Sequence, residues 1–306
     1  MINFNLCNLQ FQLDFFISGV KELTKRLEKV FVVFNGSSFL DSNSASIHFM
    51  VFNSTILEME YSEKFYLSRE MWRELLMAYR QFCWVRTNKP IVVNSSDPFV
   101  FTWKDDLKKS NFTMISVLVL DEVNERAHTL IWHNIIKLTS RWHLEHGGVL
   151  LHSATVAKND SGFLFLGKSE AGKTTVTRMS YEIGKTALGD DLNVIQGQKY
   201  GFKLSAVPGL NPSPVGYSTT IPKLRCIFDL HKDKDNYLKR LMPRQIAELI
   251  FDAFMFESPL PNKLKDYEIP VAFQTIAKIA REIPGYELHF RKSPDFWKLI
   301  DEQFPD

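Results

Sequence analysis

The feature that most constrains this chain is a change of character at residues 163–175, FLFLGKSEAGKTT. Four apolar residues suit a buried strand, but the next eight, Gly167, Lys168, Ser169, Glu170, Ala171, Gly172, Lys173 and Thr174, cannot continue it. The two glycines permit a tight path and close backbone approach, and TTVTRMSYEIG is long enough for a helix closed by Gly184. A strand, a glycine-rich turn and a helix in succession point to an α/β arrangement. The pattern G-x-x-x-x-G-K-[ST] also has a chemistry. Backbone N–H groups from Gly167 through Thr175 can wrap a chain of phosphates, Lys173 can reach the outer ones, and the Thr174 hydroxyl can face magnesium.

Composition sets the bounds. With 306 residues, 45% hydrophobic and 24% charged, the chain reads as globular and long enough for two domains. A formal net charge of +2 calls for neither nucleic acid nor an anionic membrane as partner. Cys7, Cys83 and Cys226 are too scattered for a disulfide framework or a paired metal motif. No apolar stretch approaches the roughly 20 residues of a spanning helix, and the N-terminus lacks a basic start or cleavage site. These features together lead to the expectation of a soluble, cytoplasmic protein.

Residues 1–125 read as a smaller, β-rich α+β domain. FVVF, SIHFMVF and ILEMEY carry strand-forming residues between turn-rich stretches, and a helix is expected from Ser68 with Trp72, Leu75, Leu76 and Tyr79 on one face. Residues 126–306 read as a second domain, opening with a helix that Gly147 and Gly148 terminate. His133, His143 and His146 lie on that helix. Without a carboxylate or Cys at fixed spacing, they read as solvated or hydrogen-bonded imidazoles in preference to metal ligands.

A site that binds a nucleoside triphosphate needs a further metal contact from an acidic residue at the end of a neighbouring strand. TALGDD supplies Asp190 and Asp191, 17 residues after Lys173. Two adjacent carboxylates permit one to hold Mg²⁺ and the other to take a proton from an attacking hydroxyl; alone, such a pair would be a solvated turn. GVLLHSATVA and GFLFLG flank KNDSG as a hairpin. With Ala157 opposite Phe163, His152 falls opposite Lys168, where it can neutralise phosphate charge, tune a carboxylate, or simply hydrogen-bond within the strand. LNVIQ and GFKLSAV make another hairpin, which implies a mixed sheet and not a purely parallel one. IPKLRCIFDLH reads as a strand. Of Arg225, Arg240 and Arg244, Arg225 is the first candidate to clamp a phosphate.

Together, LLHSATVAKNDSGFLFLGKSEAGKTT, LGDD with its hairpin, PKLRCIFDL and RLMPRQIAELI resemble the HPr kinase/phosphorylase family, whose core is shared with phosphoenolpyruvate carboxykinase. The resemblance spans roughly residues 127 to 300. It implies a C-terminal mixed-sheet P-loop kinase core, ATP and Mg²⁺ as cofactors, and transfer to a serine hydroxyl. It matches His152 to the family histidine before the loop, Asp190 to the carboxylate that activates the acceptor, and Asp191 with Thr174 to the magnesium contacts. Residues 1–125 do not resemble the corresponding domain of the bacterial regulatory kinase. The expected acceptor is a peptide or protein; transfer to a small molecule such as free serine, a carboxykinase-like reaction, and a non-catalytic nucleotide-binding partner protein stand as alternatives. Acceptor recognition or assembly into a homo-oligomer is the role left for the first domain.

Overall fold

The computed structural model describes residues 2–7, 9–17, 20–31, 45–53, 69–77, 99–104, 114–120, 126–209, 213–254 and 268–305. The chain divides into two compact units, Met1–Ile135 and Ile136–Asp306. Each contains a mixed sheet.

In the first unit β1 (Ile2–Leu6) and β2 (Leu9–Phe16) form an antiparallel hairpin, with Cys7 at φ 50° in its turn. β2 runs parallel to β3 (Ala45–Asn53), β3 runs parallel to β5 (Met114–Leu120), and β4 (Phe99–Lys104) closes the edge antiparallel to β5. Helix α1 (Lys21–Phe31) buries Leu23 and Leu27, one turn apart. Phe31, expected to open a strand, instead ends this helix, because the Leu23/Leu27 spacing carries the helical period up to it. Helix α2 is described over residues 69–77 and buries Trp72 and Leu75. ILEMEY, Ser68 as a cap, Tyr79 and Cys83 lie outside the described residues. Inside the sheet, buried His48 of β3 shares a hydrogen bond of 2.8 Å with Asp14 of β2.

Helix α3 (Ala127–Glu145) runs across the division between the units. Gly147 at φ 74° and the bond from Gly148 N to His143 O at 2.7 Å end it, a left-handed stop that glycine adopts without strain. In the second unit β6 (Val149–His152), β10 (Leu192–Gly197) and β11 (Phe202–Val207) form an antiparallel set. The larger run is β9 (Thr186–Gly189), β7 (Ala154–Lys158), β8 (Ser161–Leu166), β12 (Lys223–Lys232), β14 (Gly285–Phe290) and β13 (Tyr237–Arg240), each bonded to the next. β11 joins it where Lys203 meets Lys223. Strands β8, β12 and β14 are parallel, while β7 is antiparallel to both β8 and β9. As a result β8, β9 and β12 all end at one edge of the sheet.

Strand β8 is buried on both faces, and its alternation decides what covers each. Phe163 and Phe165 pack with Val176 and Met179 of α4 (Lys173–Glu182) and Phe296, Trp297 and Ile300 of α7 (Phe296–Gln303). Leu164 and Leu166 pack on the other side with Ile246 and Ile250 of α5 (Pro243–Ala253) and Ile276 and Ile279 of α6 (Glu268–Glu282). Trp297 also donates its indole N–H to Ser180 Oγ at 2.7 Å, which ties α7 to the helix that follows the loop. Among the described residues no helix is long and apolar enough to cross a membrane.

Candidate functional site

Three of the residues singled out in sequence, His152, Lys173 and Asp191, meet at the sheet edge where β8 and β9 end. Gly167 follows β8 at φ 148°, a backbone region in which a side chain is strained; a Cβ there would lie 2.7 Å from Ala171 Cβ. Gly172 caps α4 at φ 113°, and a Cβ there would lie 3.0 Å from Phe290 Cζ. Glu170 is also left-handed, at φ 64°. No side chain caps α4. Its first N–H groups, from Lys173, Thr174 and Thr175, therefore have no partner within the helix, and its positive dipole end faces the loop. Lys168, Ser169, Glu170 and Thr174 are exposed, whereas Lys173 is buried. The Lys173 ammonium donates to Gly167 O at 2.8 Å and to Lys168 O at 3.4 Å. Burial holds its pKa below the ordinary lysine value, with Asp191 acting in the opposite direction.

Asp190 and Asp191 follow the last residue of β9. Asp191 is half exposed and lies 3.4 Å from His152 Nε2. Asp190 is 8% exposed, and no hydrogen bond or ion pair reaches its carboxylate from another described residue. Two adjacent carboxylates therefore have unlike surroundings, the circumstance that separates acid–base roles. Gly189, just before them, is closely surrounded: a Cβ would come 3.1 Å from Ala206 Cβ, 3.3 Å from Asn193 Oδ1 and 3.4 Å from Tyr217 Cδ1, so the neighbours would have to give by a few tenths of an ångström. Burial, then Lys173, pushes the His152 pKa down, and Asp191 counters them. Lys173, Asp191 and His152 come from three different elements and sense one another electrostatically.

His152 reaches this place by a route other than the expected hairpin. Lys158 pairs with Ser161 across a turn of only Asn159 and Asp160, so Val156, not Ala157, opposes Phe163. The extended segment also breaks at Ser153. His152 belongs to β6 and opposes Leu192, and Ser153 N donates to Asp191 O at 2.9 Å.

Arg225 is not brought to the loop. It sits at an irregularity in β12 between Leu224 and Cys226, level with Gly162 and Phe163, while Asp229 is level with Leu166. At about 3.3 Å per residue it lies roughly 13 Å down the strand. Arg240 is engaged with the Tyr286 hydroxyl at 3.1 Å, and exposed Arg244 pairs with Glu248 within α5. His146, just beyond α3, contacts Trp142 O through Nδ1 at 2.7 Å and stacks on the Trp142 ring.

Three participants carry no signal in a short window of sequence. Asn193 and Ser153 link the strand ends, and Tyr217 walls the site. The Tyr217 hydroxyl accepts from Gly209 N at 2.8 Å; burial raises its pKa and the charges of Asp190 and Asp191 raise it further. None belongs to a motif. On the other flank, His231 Nε2 lies 2.7 Å from Asp229 Oδ2 and stacks against His289.

No protein-family model matches the chain, and no curated protein matches it significantly in sequence. Among solved structures, the Hpr(Ser) kinase/phosphatase from Coxiella burnetii aligns over 43% of this chain and 88% of its own, at 12% identity and a TM-score of 0.25. A likeness that slight carries no weight for fold or activity.

Proposed function

We propose that the protein is a phosphotransferase that holds the phosphates of ATP in the loop from Gly167 to Thr175 and transfers the terminal phosphoryl group to a hydroxyl. The acceptor favoured by the sequence resemblance is serine in a peptide or protein. One observation carries the reading: Asp191 acts electrostatically on the loop lysine and lies against His152, while the adjoining Asp190 is buried with no hydrogen-bond or ion-pair partner among the described residues.

The donor set fits magnesium. In phosphate sites this ion takes one or two carboxylates, and its remaining positions go to phosphate oxygens and water, so Asp191 and Thr174 suffice and the Asp190 carboxylate is left for the acceptor. When bound, it would neutralise phosphate charge. The chain's own residues account for the rest. The acceptor oxygen forms a bond to the terminal phosphorus, the bond from that phosphorus to the bridging oxygen breaks, and the hydroxyl proton passes to the Asp190 carboxylate. Lys173 swings from the carbonyls of Gly167 and Lys168 toward the outer phosphates. His152, 3.4 Å from Asp191, orients that carboxylate. Positioning and charge neutralisation do most of the work in such a transfer.

The test is incubation with terminally labelled ATP, Mg²⁺ and extract from the protein's source, followed by separation of large from small products. Label on a macromolecule, lost in Lys173→Ala, supports the proposal; label only on metabolites moves the acceptor to a small molecule. Asp190→Asn is expected to lower turnover by roughly 10²–10⁴, the usual worth of a general base, with nucleotide affinity kept within threefold. Loss of both together would make Asp190 structural.

A further inference from the structure

We propose that Asn193 is the residue that positions the two aspartates against His152, a role that rests on the phosphotransfer reading for its consequence but on geometry for its basis. Asn193 lies on β10, wholly buried. Its Nδ2 donates to Ser153 O at 2.8 Å, to Ser153 Oγ at 3.1 Å and, at the limit of reach, to Gly189 O at 3.5 Å. Two of these acceptors are main-chain carbonyls, so the amide orientation is fixed: only the nitrogen can face them.

The contacts span forty residues of sequence and join the two places where the site is assembled. Ser153 directly follows His152, and Gly189 directly precedes Asp190. Ser153 N in turn donates to Asp191 O at 2.9 Å, so the segment 152–153 and the turn 189–191 are held from both sides. The Asn193 side chain also fills the space beside Gly189, 3.3 Å from where a Cβ would stand. Its Oδ1 is buried without a partner among the described residues. Left unpaired, that oxygen opposes burial of the side chain, so the donor side of the amide is what the fold uses here. Neither aspartate is bound to Asn193 directly. The side chain acts through the backbone, by fixing where the Asp190 and Asp191 carboxylates and the His152 ring point.

The experiment compares wild type with Asn193→Leu, which keeps apolar bulk and removes the donors, and with Asn193→Ser should the leucine variant not fold. Melting temperature, Mn²⁺ affinity in the absence of nucleotide, and kcat and KM for ATP are measured on the full chain. The expected result is Mn²⁺ binding at least tenfold weaker and kcat at least a hundredfold lower, with KM for ATP within threefold and the protein still folded at the assay temperature. A folded variant whose Mn²⁺ affinity is unchanged overturns the proposal, as does a KM that rises in step with the fall in kcat, which would mean a general loosening of the site. A wild type that binds Mn²⁺ tightly yet transfers no phosphate sinks the phosphotransfer reading alone, and the Mn²⁺ comparison still decides the role of Asn193.

Discussion

Replacing Gly167 by alanine separates two effects that the loop imposes on one residue. The backbone at φ 148° lies where a residue with a Cβ is strained, worth about 1–3 kcal/mol. The Cβ would also stand 2.7 Å from Ala171 Cβ, roughly 1 Å inside ordinary contact, with Leu230 Cβ behind it at 3.5 Å. Overpacking of that kind costs about 1–3 kcal/mol more, because the obstruction is a short side chain on the loop itself and cannot rotate away. Gly184→Ala is the matched control. Its φ is 81°, and a Cβ there meets nothing within 4 Å, so only the left-handed penalty of about 1–2 kcal/mol applies. For a unit of this size, each kcal/mol lowers the melting temperature by about 2–4 °C. Gly167→Ala is therefore expected to melt roughly 4–24 °C below wild type and Gly184→Ala roughly 2–8 °C below. Calorimetry paired with titration of ATP reads both consequences: the loop variant should also lose at least tenfold in nucleotide affinity, and the control should lose none. Equal melting shifts in the two variants, or a Gly167→Ala protein that binds ATP like wild type, would refute the steric argument.

Two further outcomes follow from where side chains were found. Arg225→Ala is expected to leave phosphate transfer within threefold of wild type, because the residue lies at the far end of β12 from the loop; a loss beyond tenfold in steady-state turnover would contradict the strand register. Burial depresses the pKa of His48 below 6.5, with Asp14 opposing it, so the folded state resists protonation there. His48 thus contributes stability that is present above pH 6.5 and is lost as pH falls through its folded value. The difference in melting temperature between wild type and His48→Gln should shrink or reverse between pH 7.5 and 5, and a difference independent of pH would remove His48 from the account.

Much of the second unit is legible in short windows of sequence. FLFL reports a strand buried on both faces, and Gly167 and Gly172 report a turn that only glycine tolerates, since these are local demands of sterics and burial. The helices from Ala127, Pro243 and Glu268 and the strand from Lys223 are likewise written in short-range periodicity. The α1 amphipathic pattern is equally local, but Leu23 and Leu27 are too few apolar positions among charged neighbours to stand out. Adjacent Asp190 and Asp191 mark a candidate site by residue type alone. Their difference in burial is not legible, because it depends on segments distant in sequence, such as those that bring Ala206 and Tyr217 against the adjoining Gly189.

What the tertiary structure alone decided was which segments share an edge. A hairpin register extrapolated through Ser153 puts His152 opposite Lys168, but strand pairing is a competition among all available edges, and β10 took residues 149–152. Arg225 fails as a phosphate contact for a similar reason: a strand's composition says that it is buried, not which of its ends meets the loop. Asn193 carries no motif at all, and its meaning lies in three oxygens that the chain returns to it from forty and four residues away. Local sterics and burial are properties of a short window and survive in the sequence; the meeting of strand ends is a property of the whole sheet and does not.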